Sequence, residues 1–151
     1  MIKWYSNKKV RICFDRLPSV SVRYEIPSMK KKELKSIRKY PFICKQEIEV
    51  LLEDLKKEKT YIFKIPKGYC YDGASIPRFF WRIIGSNTDN KFLIPALIHD
   101  VLCEHHEYVE NDRAFSTDVF NALLEASGIF SLKRFCMKNS VALFQALFCN
   151  W

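Results

Sequence analysis

Glycine is scarce in this chain of 151 residues, with 4, and proline is limited to 6. Long flexible linkers and low-complexity segments are therefore excluded as organising elements, and there is no internal repeat. Cys13, Cys44, Cys70, Cys103, Cys136 and Cys149 include no C-x-x-C pair. That spacing excludes a zinc ribbon, and their apolar neighbours predict buried free thiols in a reducing compartment. No stretch reaches the roughly 18 apolar residues of a spanning helix. The opening Met1-Ile2-Lys3-Trp4-Tyr5-Ser6 lacks the apolar core of a signal peptide, which predicts a product of the cytoplasm.

What is present is enough apolar material for a real core: 48% hydrophobic residues, 15% of the chain being aromatic. The length suits one domain over residues 1–151. The net charge of +8 biases the protein towards acidic partners. Much of that charge lies in the run Met29-Lys30-Lys31-Lys32-Glu33-Leu34-Lys35-Ser36-Ile37-Arg38-Lys39, whose simplest reading is a solvated loop or helix face. No nucleic-acid recognition motif accompanies it, so nucleic acid is disfavoured as a partner.

The first half reads as β. Residues 9–14 and 20–26 are rich in Val, Ile, Tyr and Phe, and Val20, Val22 and Tyr24 alternate with Ser21, Arg23 and Glu25. Residues 47–55 fit either a helix or a strand. The alternation of residues 61–65 and the turn signal Pro66-Lys67-Gly68 favour a hairpin with the charged tip Lys56-Lys57-Glu58-Lys59. The second half reads as α: a short helix over 78–84, then helices over 91–105 and 110–127, the last of these closed by Gly128. A final helix runs from Ser131 to about residue 148. The expected fold is α+β, with a small antiparallel β half packed against a C-terminal bundle of three to four helices.

The chemistry concentrates in residues 61–128. His99 and Asp100 interrupt an otherwise apolar helix, pointing about 100° apart. They can address one ligand from adjacent faces, His99 as general base and Asp100 as orienter or cation ligand. Asp112, at the start of the next helix, either complements that helix's dipole from the first turn or bonds the imidazole and sets its tautomer. The loop Tyr71-Asp72-Gly73-Ala74-Ser75-Ile76-Pro77-Arg78 brings small polar residues and backbone close to any ligand; its plainer role is to cap a helix. Asp72 with Asp100 could hold a divalent cation such as calcium. His99, Cys103 and His106, at i, i+4 and i+7 on one helical face, are alternative zinc ligands. The apolar stretch of residues 141–148 reads first as a core helix, and second as a surface for a partner or a peripheral membrane contact.

Four strings carry a resemblance: Lys64-Ile65-Pro66-Lys67-Gly68-Tyr69, the Asp72-Gly73-Ala74-Ser75-Ile76-Pro77 loop, Ala96-Leu97-Ile98-His99-Asp100-Val101-Leu102, and Asp112-Arg113-Ala114-Phe115. Together they resemble the bacteriophage and prophage family known as domain-of-unknown-function 1353, over residues 47–130. That leaves residues 1–46 as a divergent basic β-rich segment and residues 131–151 as a C-terminal helix. Cys103 stands where the family has an aromatic residue, and Tyr71 where it has a Thr or similar. The family implies phage origin without an activity. A looser likeness of constellation, not of fold, is to phospholipase A2-like domains, which pair a His-Asp helix with an Asp on the next helix. Two expectations follow. One is a small His-Asp hydrolase of a cell-envelope ester or amide, using His99, Asp100 and Asp112, with calcium or zinc as a candidate cofactor. The other is a non-enzymatic virion, tail or assembly protein that contacts phage structural proteins and uses the same residues as a structural network. Either would act in the host cytoplasm or as part of the virion.

Overall fold

Alternation decides the segment that the sequence left open. Ile48, Val50, Leu52 and Asp54 are buried and the residues between them are not, because this segment is paired on both edges. A computed structural model describes residues 1–71, 90–129 and 131–148. Along it run strands β1 (Ile2–Ser6), β2 (Val10–Phe14) and β3 (Val20–Val22) and helix α1 (Lys31–Lys39). Strands β4 (Phe42–Cys44), β5 (Ile48–Asp54), β6 (Lys59–Ile65) and β7 (Cys70–Tyr71) follow. Then come helix α2 (Asn90–Glu104), a 3-10 turn (His106–Val109), and helices α3 (Arg113–Ala126) and α4 (Ser131–Phe148). The fold is α+β, as expected. One antiparallel sheet has the order β1-β2-β5-β6 and a smaller one the order β3-β4-β7.

The predicted hairpin forms, with Ile48 opposite Ile65 and Asp54 opposite Lys59. Its tip is built by Asp54, whose Oδ1 accepts from Lys56 N at 3.0 Å and Lys57 N at 3.2 Å. A buried carboxylate is tolerable there because it satisfies two turn amides. Leu51 and Ile62 face each other on the outer side of the sheet. The inner side (Val10, Ile12, Phe14, Val50, Leu52, Phe63) packs with Leu97, Ile98 and Val101 of α2 and with Val119 and Leu123 of α3. A second cluster, Phe120, Leu124, Ile129, Met137 and Val141, joins α3 to α4.

Some boundaries differ from the sequence reading. The strand expected over 20–26 stops at Val22; Arg23 N turns to Pro41 O at 2.7 Å and residues 24–26 are exposed. The helix expected from 110 starts at Arg113, because Glu110 and Asn111 take left-handed backbone angles (φ 54 and 61) and Asp112 is the cap. The basic run folds as α1, with Ile37 as its buried anchor. The helix expected over 78–84 lies outside the described residues.

The end of α3 was legible. Gly128, at φ +79, donates to Glu125 O at 3.0 Å and Ile129 N donates to Leu124 O at 3.2 Å, the paired bonds of a Schellman motif. A Cβ at Gly128 would meet nothing within 4 Å, so Gly128→Ala pays only for the left-handed backbone. We expect a loss of about 1 kcal/mol and a melting temperature lower by roughly 2–4 °C. An unchanged melt would show that the motif does not fix this turn.

Candidate functional site

The middle of helix α2 is apolar on nearly every side, so His99 and Asp100 are carried into the interior with it. His99 is 1% exposed and Asp100 8%. They diverge as helix geometry demands. The His99 ring leans on Phe120 of α3, with centroids 4.9 Å apart, and its Nε2 lies 3.0 Å from Nε2 of Gln145 on α4. Gln145 is itself fully buried. Its amide nitrogen is also 3.2 Å from Cys103 Sγ, so its two N–H groups address the imidazole and the thiol. An amide N–H can donate only to an unprotonated ring nitrogen. We therefore assign the His99 proton to Nδ1, which lies 3.7 Å from Cys103 Sγ. Thr117 Oγ1 lies 3.4 Å from Gln145 Oε1 and donates to Arg113 O at 3.1 Å. Burial pushes the His99 pKa from 6.5 down to about 4, because the imidazolium would lose its hydration and no carboxylate among the described residues bonds it in compensation.

Asp100 faces a neighbouring cleft of ≈170 Å³, which it shares with Tyr40, Tyr69, Tyr71, Cys103 and Glu104. Asp100 and Glu104 are one helical turn apart on one face of α2. Tyr69 Oη donates to Glu104 Oε2, and Tyr71 Oη donates to Leu93 O at 2.8 Å. Burial, with the nearby Asp100 and Cys44, raises the Tyr71 phenol above its ordinary range. It is a hydrogen-bond donor at any physiological pH.

Asp112 does not join this group. Its Oδ1 accepts from Phe115 N at 3.0 Å and its Oδ2 from Lys57 Nζ at 2.5 Å. Burial works against the charge, but the Lys57 ammonium and the Phe115 amide outweigh it and hold the carboxyl below its usual range. Orientation of His99 by Asp112 is therefore replaced by two other roles: capping α3 and tethering the hairpin tip. Lys59 Nζ and Tyr61 Oη make a parallel tether to Glu110.

The zinc alternative also separates. His99 and Cys103 are neighbours, but α2 ends at Glu104 and His106 Nδ1 pairs with Asn111 Oδ1. Among the described residues no three His, Cys, Asp or Glu side chains are placed to hold a metal. Of the expected binding loop, Tyr71 is in β7; Asp72, Gly73, Ala74, Ser75 and Arg78 lie outside the described residues, and with them the Asp72–Asp100 cation pair. Gln145 and Thr117 were missed. The available signal was Gln145, the single polar residue in the run Val141-Ala142-Leu143-Phe144-Gln145-Ala146-Leu147-Phe148. Among the described residues no helix is long and apolar enough to cross a membrane.

A family model described as protein of unknown function (DUF1353) matches residues 49–141, more than half of the chain. A curated relative, described as uncharacterized protein y4jT of Sinorhizobium fredii (strain NBRC 101917 / NGR234), is 42% identical over 48 residues. That stretch is 32% of this chain and 14% of the relative, so the match spans a small part of that protein's length. No solved structure matches. The chain belongs to the DUF1353 family.

Proposed function

We propose that this DUF1353 member is a non-enzymatic accessory protein of phage or prophage origin, acting in virion, tail or assembly, and that His99 is a structural joint between α2 and α4. One observation carries the reading: the imidazole is 1% exposed, with its acceptor nitrogen occupied by Gln145. A general base must reach its proton directly or through one water, and an enclosed ring that resists protonation does neither. The phage origin rests on the family resemblance. In this reading the protein works in the host cytoplasm or in the particle by contact with phage structural proteins.

A second reading keeps hydrolysis and moves it from His99 to the cleft beside Asp100. Its support is the convergence of Asp100 and Glu104 with three tyrosines, carboxylates that could serve a metal-assisted attack on an envelope ester or amide. Incubation of the purified protein with phospholipid vesicles, peptidoglycan and an aryl ester, each with calcium or zinc added, separates the two. We expect no turnover above buffer, and none that Asp100→Asn alters. Turnover abolished by Asp100→Asn would replace the first reading with the second.

A further inference from the structure

Gln145 also lines a larger hollow, of ≈420 Å³, with Lys9, Lys56, Arg113, Asp118 and Lys138. Four separate parts of the fold supply its cations. Lys9 precedes β2, Lys56 is on the hairpin tip, Arg113 opens α3, and Lys138 is on α4. Asp118 is the one carboxylate among them, and it is engaged by Lys9 Nζ at 3.4 Å and Lys56 Nζ at 3.5 Å. Four positive groups against one negative leave the hollow three charges positive. Arg113 gives one N–H to Gln145 O at 3.3 Å and keeps the rest of its donor fork. Lys138 makes no ion pair among the described residues.

We propose that this basin binds a small phosphorylated molecule, a phosphate monoester of about nucleotide size. Surplus positive charge and an arginine fork together favour a dianion with several acceptor oxygens over a single carboxylate. The volume falls in the range of small-ligand pockets, roughly 300–1,000 Å³. Ala114 and Ala142 in its lining give apolar surface for the body of the ligand. The cations converge on one hollow instead of tracking along a groove, as a polynucleotide backbone requires.

AMP titrated into the full chain tests this, followed by calorimetry and by the NMR signal of the Gln145 side-chain amide. Saturable binding is expected, with that amide shifting. Lys138→Glu should weaken binding by about tenfold or more without changing the melt, and Arg113→Lys, which keeps the charge but loses the fork, should also weaken it. A control, Lys31→Glu with Lys35→Glu on α1, alters charge elsewhere and should leave AMP affinity unchanged. The proposal is overturned by absence of saturable AMP binding, or by equal weakening in the control. It is also overturned if duplex DNA binds more tightly than AMP and shows the same dependence on Lys138.

Discussion

Acidification from pH 7 to pH 4 should cost the protein roughly 3 kcal/mol of stability through His99 alone. In the unfolded chain the imidazole has its ordinary pKa of 6.5; burial lowers it to about 4 in the fold. Above 6.5 both states hold the ring neutral and it contributes no pH dependence. Between 6.5 and about 4 the unfolded state takes up a proton that the folded state refuses. Stability therefore falls as pH falls, at about 1.4 kcal/mol per pH unit. The full interval is worth roughly 3 kcal/mol, a large share of the roughly 5–15 kcal/mol that holds a typical domain together. Asp112 and Glu110, whose carboxyls are held below their usual range, act in the same direction but at lower pH, below the ordinary carboxylate range. Urea denaturation at several pH values between 7.5 and 4.5 reads this directly. His99→Gln should be less stable at pH 7, having lost its fit against Phe120, yet show a much flatter decline towards pH 4.5. Equal slopes in the two proteins would mean that His99 is not held neutral, and would weaken its assignment as a structural joint.

The sequence and the fold agree where the deciding residues are local. The β5–β6 hairpin and the Schellman glycine at Gly128 each follow from residues within a few positions. Agreement fails where the decisive partner is remote. Strands β4 and β7 have three and two residues, too short for periodicity to register, and exist because each completes the other's hydrogen bonding. The same holds at the site. Adjacent His99 and Asp100 could be read as one chemical unit, and helix geometry sends them to different neighbourhoods. The residue that defines the state of His99 is Gln145, 46 positions away. Nothing local distinguishes Gln145 from an amide on a solvated face except that it interrupts an apolar run. Asp112 shows the converse: the plain reading, a carboxylate complementing the helix dipole, needed only its place at the helix start, where it serves as the cap, whereas bonding to His99 needed a helix packing that the Lys57 tether does not produce.

Phe120→Ala should be the most damaging single truncation near the site, at about 3–5 kcal/mol. Phe120 is fully buried and serves two assemblies. One edge of its environment is the α3–α4 cluster with Leu124, Ile129, Met137 and Val141; the other is the His99 ring, 4.9 Å away and tilted by 52°. Truncation removes the contact that holds α4 against α3 and the wall that dries the imidazole. Two consequences are expected together. Chemical denaturation should show the loss of stability, with Phe120→Leu recovering most of it. The decline towards pH 4.5 should flatten, because a hydrated imidazole no longer resists protonation. Phe135→Ala on α4, where the ring is 66% exposed, is the matched control and should stay within roughly 0.5 kcal/mol of the parent. If Phe120→Ala lost no more than that control, α4 would not be docked through this ring, and the closed environment of His99 that follows from the docking would have to be abandoned.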